Sequence, residues 1–141
     1  MATTISESPE KTEAIGHSLG ERAEPERPMF LFGTLGTGKT QLVRGIAGGV
    51  GFRGRVKSPT FSLMQIYQGG RFPIYHFDLY RIENQDDPLS DELENYLEAE
   101  GLVVVEWAER WRDRLPRRRK EIHLSWVSET QREIRDEDFG D

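Results

Sequence analysis

Apolar positions along the chain follow two different periods. Met29-Phe30-Leu31-Phe32 and Leu102-Val103-Val104-Val105 are unbroken apolar runs of strand length, the pattern of strands buried on both faces of a mainly parallel sheet. Leu42, Val43, Ile46, Ala47 and Val50 recur at helical spacing and stop at Gly48-Gly49 and Gly51, which predicts a helix with a glycine end signal. A shorter stripe, Ala14, Ile15, Leu19 and Ala23, follows Ser8-Pro9, a capping residue with proline at the first helical position. Val56 to Tyr67 reads as a loop running into a strand, and Gln68-Gly69-Gly70-Arg71 as a hairpin turn. The second arm alternates: Ile74, His76, Asp78 and Tyr80 share one face, and Tyr75, Phe77 and Leu79 the other. A helix is predicted from Asp91 to Ala99, ending at Gly101, and Ile122, Leu124 and Trp126 alternate as a last strand. Residues 1–8 read as a flexible lead, 9–132 as one domain, and 133–141 as a polar, flexible tail.

The first buried run leads straight into Gly33-Thr34-Leu35-Gly36-Thr37-Gly38-Lys39-Thr40, a G-x-x-x-x-G-K-T motif at full Walker A spacing. The order of elements matters. The strand fixes the start of the loop, glycines let its backbone N–H groups face inward, and the helix after the loop aims its positive end at the same point. Gly33, Leu35, Gly36, Thr37, Gly38, Lys39, Thr40 and Gln41 are therefore the expected nucleotide-binding set. Lys39 would reach the outer phosphates as a point charge and Thr40 would hold Mg2+ through its hydroxyl. A chance lysine in a glycine-rich turn would not need a strand before it and a helix after it. The predicted fold class is α/β: a P-loop NTPase-like, mainly parallel sheet with an antiparallel hairpin contribution, flanked by helices.

Composition narrows the setting. The chain has 141 residues, room for one modest core, and no apolar stretch long enough to span a membrane. Its first residues lack the basic and apolar regions of a signal peptide. Without cysteine there is no disulfide framework and no thiolate metal site, and three scattered histidines predict no structural metal. A nucleotide-consuming protein is expected in the cytoplasm. The net charge of -6 argues against general nucleic-acid binding. It is unevenly spread, with eight acids and no Lys or Arg from Glu83 to Glu100, and seven basic residues against Asp113 from Arg110 to Lys120. The basic run reads first as solvated loop charge, with a partner or RNA contact as the lesser reading.

Ligands of parallel sheets bind outside the carboxyl ends of the strands, which brings forward three groups. Glu106 closes the most buried strand, the place of a Walker B acid that holds Mg2+; the other reading is a cap for a helix starting near Trp107. Asp78 closes the preceding strand and could orient or deprotonate the attacking water, or pair with Arg81 in a turn. Ser58-Pro59-Thr60 could form a switch loop that senses the γ-phosphate, or a plain turn. His76 shares the Asp78 face and reads better as a hydrogen-bonded histidine than as a catalyst. Trp107 and Trp111 fall four apart and are expected to pack in the core.

The nucleotide is reached by elimination. There is no Asn/Thr-Lys-x-Asp guanine-reading segment, and Asp78-Leu79-Tyr80-Arg81 lacks the glycine of the GTPase switch, so ATP is the default. A small-molecule P-loop kinase stays open as a further alternative: it would need a second-substrate pocket and an arginine-bearing lid, and the only arginine cluster follows the Leu102–Val105 run. The Walker motif, Ser58-Pro59-Thr60-Phe61, His76-Phe77-Asp78-Leu79-Tyr80-Arg81 and Val105-Glu106-Trp107 occur in this order and together resemble the TsaE (formerly YjeE) ATPases of bacterial tRNA threonylcarbamoyladenosine synthesis. The resemblance covers roughly residues 10–132. It implies Mg2+ ligation by Thr40 and Glu106, hydrolysis dependent on Asp78, a switch at Ser58 and Thr60, and, at Arg132, an arginine that approaches the nucleotide. It also implies weak ATPase activity strengthened by docking on TsaB and TsaD, which modify adenosine 37, so that tRNA is met only through the complex. Lys39, Asp78 and Glu106 are thus the expected catalytic set, with ATP and Mg2+ as cofactors. Thr34, Thr37 and Ala108 stand where the family usually has aspartate, alanine and proline, and leave Lys39 and the Mg2+ ligands in place. A nucleotide-gated module without useful turnover is the alternative from another class.

Overall fold

The computed structural model describes residues 2–34, 37–57, 64–83 and 86–140. Seven strands form one sheet in the order β1-β7-β6-β2-β5-β4-β3: β1 (Ala2–Ser6), β2 (Met29–Phe32), β3 (Met64–Tyr67), β4 (Ile74–Asp78), β5 (Leu102–Glu106), β6 (Arg119–Trp126) and β7 (Arg132–Phe139). The central four, β6, β2, β5 and β4, are mutually parallel. Antiparallel pairings add β3 at one edge and β7 with β1 at the other. Helices α1 (Pro9–Glu21), α2 (Lys39–Val50) and α3 (Pro88–Leu97), and the 3-10 segment Ala108–Arg114, cover the faces.

The unbroken apolar runs are buried on both sides, as their pattern requires. Met29, Leu31, Leu102 and Val104 join the core under α1 and α2. Phe30, Phe32, Val103 and Val105 join the core under α3 and the 3-10 segment, around Trp111 and Leu93. Strand parity then places the polar residues of β4. Ile74 lies in the α1–α2 core, so His76, Asp78 and, one register step across at Asp78, Glu106 point toward the start of α2.

Helices α1 and α2 meet along glycines. A Cβ on Gly16 would lie 2.3 Å from the Leu42 carbonyl oxygen, and one on Gly45 2.0 Å from that of Glu13. Gly20 and Gly49 would clash equally, at 2.1 Å from the Ile46 and His17 oxygens. Backbone meets backbone here, and a side chain at any of the four would force the helices apart.

Four expectations are corrected. Ala2–Ser6, read as a flexible lead, is a strand paired along its length with β7. Its β-branched Thr3, Thr4 and Ile5 suit a strand, and the buried Ser6 hydroxyl, which donates to the Ser8 carbonyl at 2.8 Å and meets the Thr12 hydroxyl at 2.7 Å, ties it to α1. The polar tail is strand β7, held by the β6 ladder, by Lys120 against Asp136 and Asp138, and by Arg27 donating to the Phe139 carbonyl at 2.7 Å. Hydropathy could not show a strand whose partners are charged. The α3 helix begins at Pro88 because Asp87 caps it, accepting the Leu89 N–H at 2.9 Å. The helix expected near Trp107 is a 3-10 segment kinked at Trp111.

Candidate nucleotide and metal site

Gly38 opens α2 with φ of 95°, a left-handed value that favours glycine, and no side chain caps the helix. The first N–H groups of α2 thus have no side-chain cap among the described residues, an arrangement that suits an anion. Thr37, buried beneath the loop, donates its hydroxyl to the Thr34 carbonyl at 2.8 Å. Leu35 and Gly36 lie outside the described residues.

Lys39 is folded back onto its own loop. Its ammonium donates to the Gly33 carbonyl and to that of Thr34 at 3.1 Å, and sits 4.1 Å from the centre of the Trp107 ring. Burial pulls its pKa down, while Glu109, Glu106 and Asp78 pull it up. Trp107 is the one described non-glycine residue with positive φ, at 59°, and Tyr80 packs against its ring at 4.9 Å. Trp107 is half-buried, packing on the core around Trp111 as its spacing suggested while its ring also reaches Lys39 and Tyr80; Trp111 is fully buried, with its indole N–H on the Ser90 hydroxyl at 2.8 Å.

Glu106 faces Thr40, whose hydroxyl lies 3.2 and 3.4 Å from the two carboxylate oxygens. It caps no helix, since the 3-10 segment has no side-chain cap. On its other side Glu106 meets His76, with Nε2 to Oε2 at 2.5 Å. The His76 Nδ1 lies 2.8 Å from the Tyr67 hydroxyl, which donates to the Lys57 carbonyl at 3.0 Å. The His76 ring is thus held at both nitrogens, by the Tyr67 hydroxyl at Nδ1 and by the Glu106 carboxylate at Nε2. Burial pushes the Tyr67 phenol up to about 12, the Lys57 bond opposing and Glu106 reinforcing the shift, so it stays protonated. His76 is thus a satisfied hydrogen-bonding histidine, as its setting in the sequence suggested.

Asp78 accepts the Tyr80 N–H at 2.9 Å. Burial raises its pKa, and Glu106 adds to that, against the Tyr80 bond, His76 and Lys39. Thr40 and Glu106 offer only hard oxygen donors, which fit Mg2+. Among the described residues no group of three or more His, Cys, Asp or Glu could hold a metal alone. Such an ion would take its other ligands from phosphate and water, as Mg2+ does at nucleotide sites.

Beside the loop a cavity of about 380 Å³ opens between Ser8, Pro9 and Thr12 of the α1 start, Gly38 and Gln41 of α2, and Arg132 of β7. Gln41 donates to Glu13 at 2.8 Å, joining the two helices. Arg132 stacks on Trp126 at 3.8 Å and donates to the carbonyls of Ser128, Glu129 and Gln131. Ser58 and Thr60 lie outside the described residues. Glu109 was not legible in the sequence: it accepts the Gly33 N–H at 2.7 Å, and its other oxygen is buried without a hydrogen-bond partner among the described residues. Only the turn of the 3-10 segment brings it to the loop. The basic run is largely consumed within the fold, Arg114 by Glu94, Arg118 by Glu24, Arg119 by Glu121 and Lys120 by Asp138.

A family model described as "Threonylcarbamoyl adenosine biosynthesis protein TsaE" matches residues 6–134. The chain belongs to the TsaE family. A Bacillus subtilis TsaE, named for tRNA threonylcarbamoyladenosine biosynthesis, is 37% identical over 127 residues, spanning 90% of this chain and 79% of that protein. A Nostoc TsaE is 44% identical over 105 residues, 72% of this chain and 64% of that protein. The crystal structure of Bacillus subtilis YdiB superposes with a TM-score of 0.83 at 30% identity, covering 99% of this chain and 86% of that one. The TsaE match agrees with the α/β sheet and with the order of the motifs along it.

Proposed function

We propose that this TsaE-family chain is a Mg2+-dependent ATPase that serves N6-threonylcarbamoyladenosine formation at adenosine 37 of tRNA, acting on a complex of TsaB and TsaD in the cytoplasm. The observation that carries the reading is the convergence of Lys39, Thr40 and Glu106 on the uncapped start of α2, with Asp78 beside Glu106 in register. Phosphoryl transfer needs little covalent help from a protein; it needs positioning and charge neutralisation. Bound Mg2+ would supply that neutralisation on the phosphate oxygens, with Thr40 and Glu106 holding it. Lys39 would leave the loop carbonyls and Trp107 to meet the phosphates. Asp78, its carboxyl raised by burial, would orient the attacking water and take its proton. The cavity beside Gly38 has the size and place for the nucleoside end, and Arg132 on its wall supports a contact there.

The test is phosphate release from Mg-ATP by the protein alone and with purified TsaB and TsaD. Weak release alone and strong stimulation by the pair are expected. Lys39→Ala should abolish nucleotide binding, and Asp78→Ala should keep binding while lowering stimulated hydrolysis by about 100-fold or more. Intact stimulated hydrolysis in Asp78→Ala would remove Asp78 from this role. Tight ATP binding without stimulation would favour a nucleotide-gated module.

A further inference from the structure

Three buried side chains, two of them outside the expected catalytic and metal-binding residues, stand in one line. Tyr67 from β3 and His76 from β4 are 3% and 0% exposed, and they join the Lys57 carbonyl to Glu106, itself 3% exposed. Nothing in core packing requires so many polar atoms here. A phenylalanine and a leucine would fill these positions without any hydrogen bond to satisfy. What the polar version adds is directional. Glu106 has one oxygen within 2.5 Å of His76 while Thr40 lies at 3.2 and 3.4 Å from the two, so His76 fixes the rotation of the carboxylate that faces the helix start. Tyr67 in turn fixes the His76 ring through Nδ1. The far end is a backbone carbonyl, at Lys57, which this chain of contacts joins to the site.

We propose that His76 and Tyr67 are positioning residues that aim the Glu106 carboxylate at the metal position and couple that position to the backbone at Lys57. The inference rests on the reading of Glu106 and Thr40 as Mg2+ ligands. Partners of a ligating group set its orientation and affinity, and their removal usually costs 10–100-fold in metal binding. Tyr67→Phe keeps the ring and deletes only the hydroxyl that links His76 to Lys57.

Nucleotide affinity is measured with a fluorescent ATP analogue as Mg2+ is titrated, for the wild type, Tyr67→Phe and His76→Gln. Tyr67→Phe is expected to raise the Mg2+ midpoint roughly tenfold while leaving metal-free nucleotide affinity within about twofold. His76→Gln, whose amide can still donate to Glu106, should show a smaller shift. Hydrogen exchange of the segment ending at Lys57 gives a second readout, independent of turnover. In the wild type, Mg2+-nucleotide should change its exchange, and in Tyr67→Phe, saturated with the same ligand, the change should be absent. An unaltered midpoint together with a wild-type exchange response in Tyr67→Phe overturns the positioning role and leaves the ATPase reading standing. A wild type with no Mg2+-dependent nucleotide affinity overturns both. A Tyr67→Phe protein that fails to fold throws the decision to His76→Gln, where an unchanged midpoint counts against the proposal.

Discussion

Two buried glutamates flank β2, one on each neighbouring strand. Glu106 on β5 pairs in register with Leu31, and Glu121 on β6 with Phe30. They are 3% and 8% exposed, and each meets the Nε2 of a histidine, His76 at 2.5 Å and His123 at 2.9 Å. Their surroundings diverge from there. Glu121 also takes the Arg119 guanidinium through Nε and NH2, each at 2.7 Å. Burial alone would push its carboxyl up, but the His123 and Arg119 bonds and the Arg119 charge hold it below the usual range. Glu106 has no arginine partner among the described residues; it shares its strand end with a second acid, Asp78, whose pKa burial and Glu106 push up. A buried carboxylate matched by a fixed cation is structural. Glu106, set beside another acid and a hydroxyl and matched by no arginine among the described residues, fits the proposed reading in which its cation is a bound Mg2+.

The largest expected effect breaks the comparison from the Glu106 side. Glu106→Gln keeps the shape and can still accept from Thr40 and bond His76, so folding stability should change by less than about 1 kcal/mol. Partner-stimulated ATP hydrolysis should fall by about 100-fold, because the charge that would hold Mg2+ is gone. Urea unfolding and phosphate release on one preparation check both halves. A variant that hydrolyses normally but loses several kcal/mol would make Glu106 structural, like Glu121.

The contrast between the two glutamates also explains why some features are legible in the sequence and others are not. The P-loop, the buried strands and the strand-end acids are local in sequence, each a run or a spacing, and strand parity alone carries His76, Asp78 and Glu106 to one face. The hidden features depend on distant partners. The polar β1 and β7 exist because Lys120, Arg27 and the β6 ladder satisfy them. The helix seam needs Gly16 and Gly20 opposite Gly45 and Gly49, a match between two segments. Trp107 has the spacing of a core residue and packs on the core, but its left-handed backbone also sets its ring over Lys39, which spacing could not show. The basic run looked like a free surface because its acids, Glu24, Glu94 and Asp138, lie far along the chain.

The smallest effect comes from the Glu121 side and carries a sign. Glu121→Gln leaves Arg119 and His123 without their anion and should cost about 1–2 kcal/mol at neutral pH, with ATP hydrolysis unchanged. Glu121 has a folded pKa below its unfolded one. Its stabilisation is therefore full above the ordinary carboxylate range and is lost as pH falls through the lowered folded value. The groups around it are Arg119 and His123 on β6, Glu137 opposite it on β7, and Arg112 of the 3-10 segment, which lines a cavity with His123. Urea midpoints of wild type and Glu121→Gln should thus differ at neutral pH and converge as pH falls below the ordinary carboxylate range. A gap that persists in acid would mean that the glutamate acts through its shape and neutral hydrogen bonds, and the difference between a matched and a reserved carboxylate would then fail at its structural end.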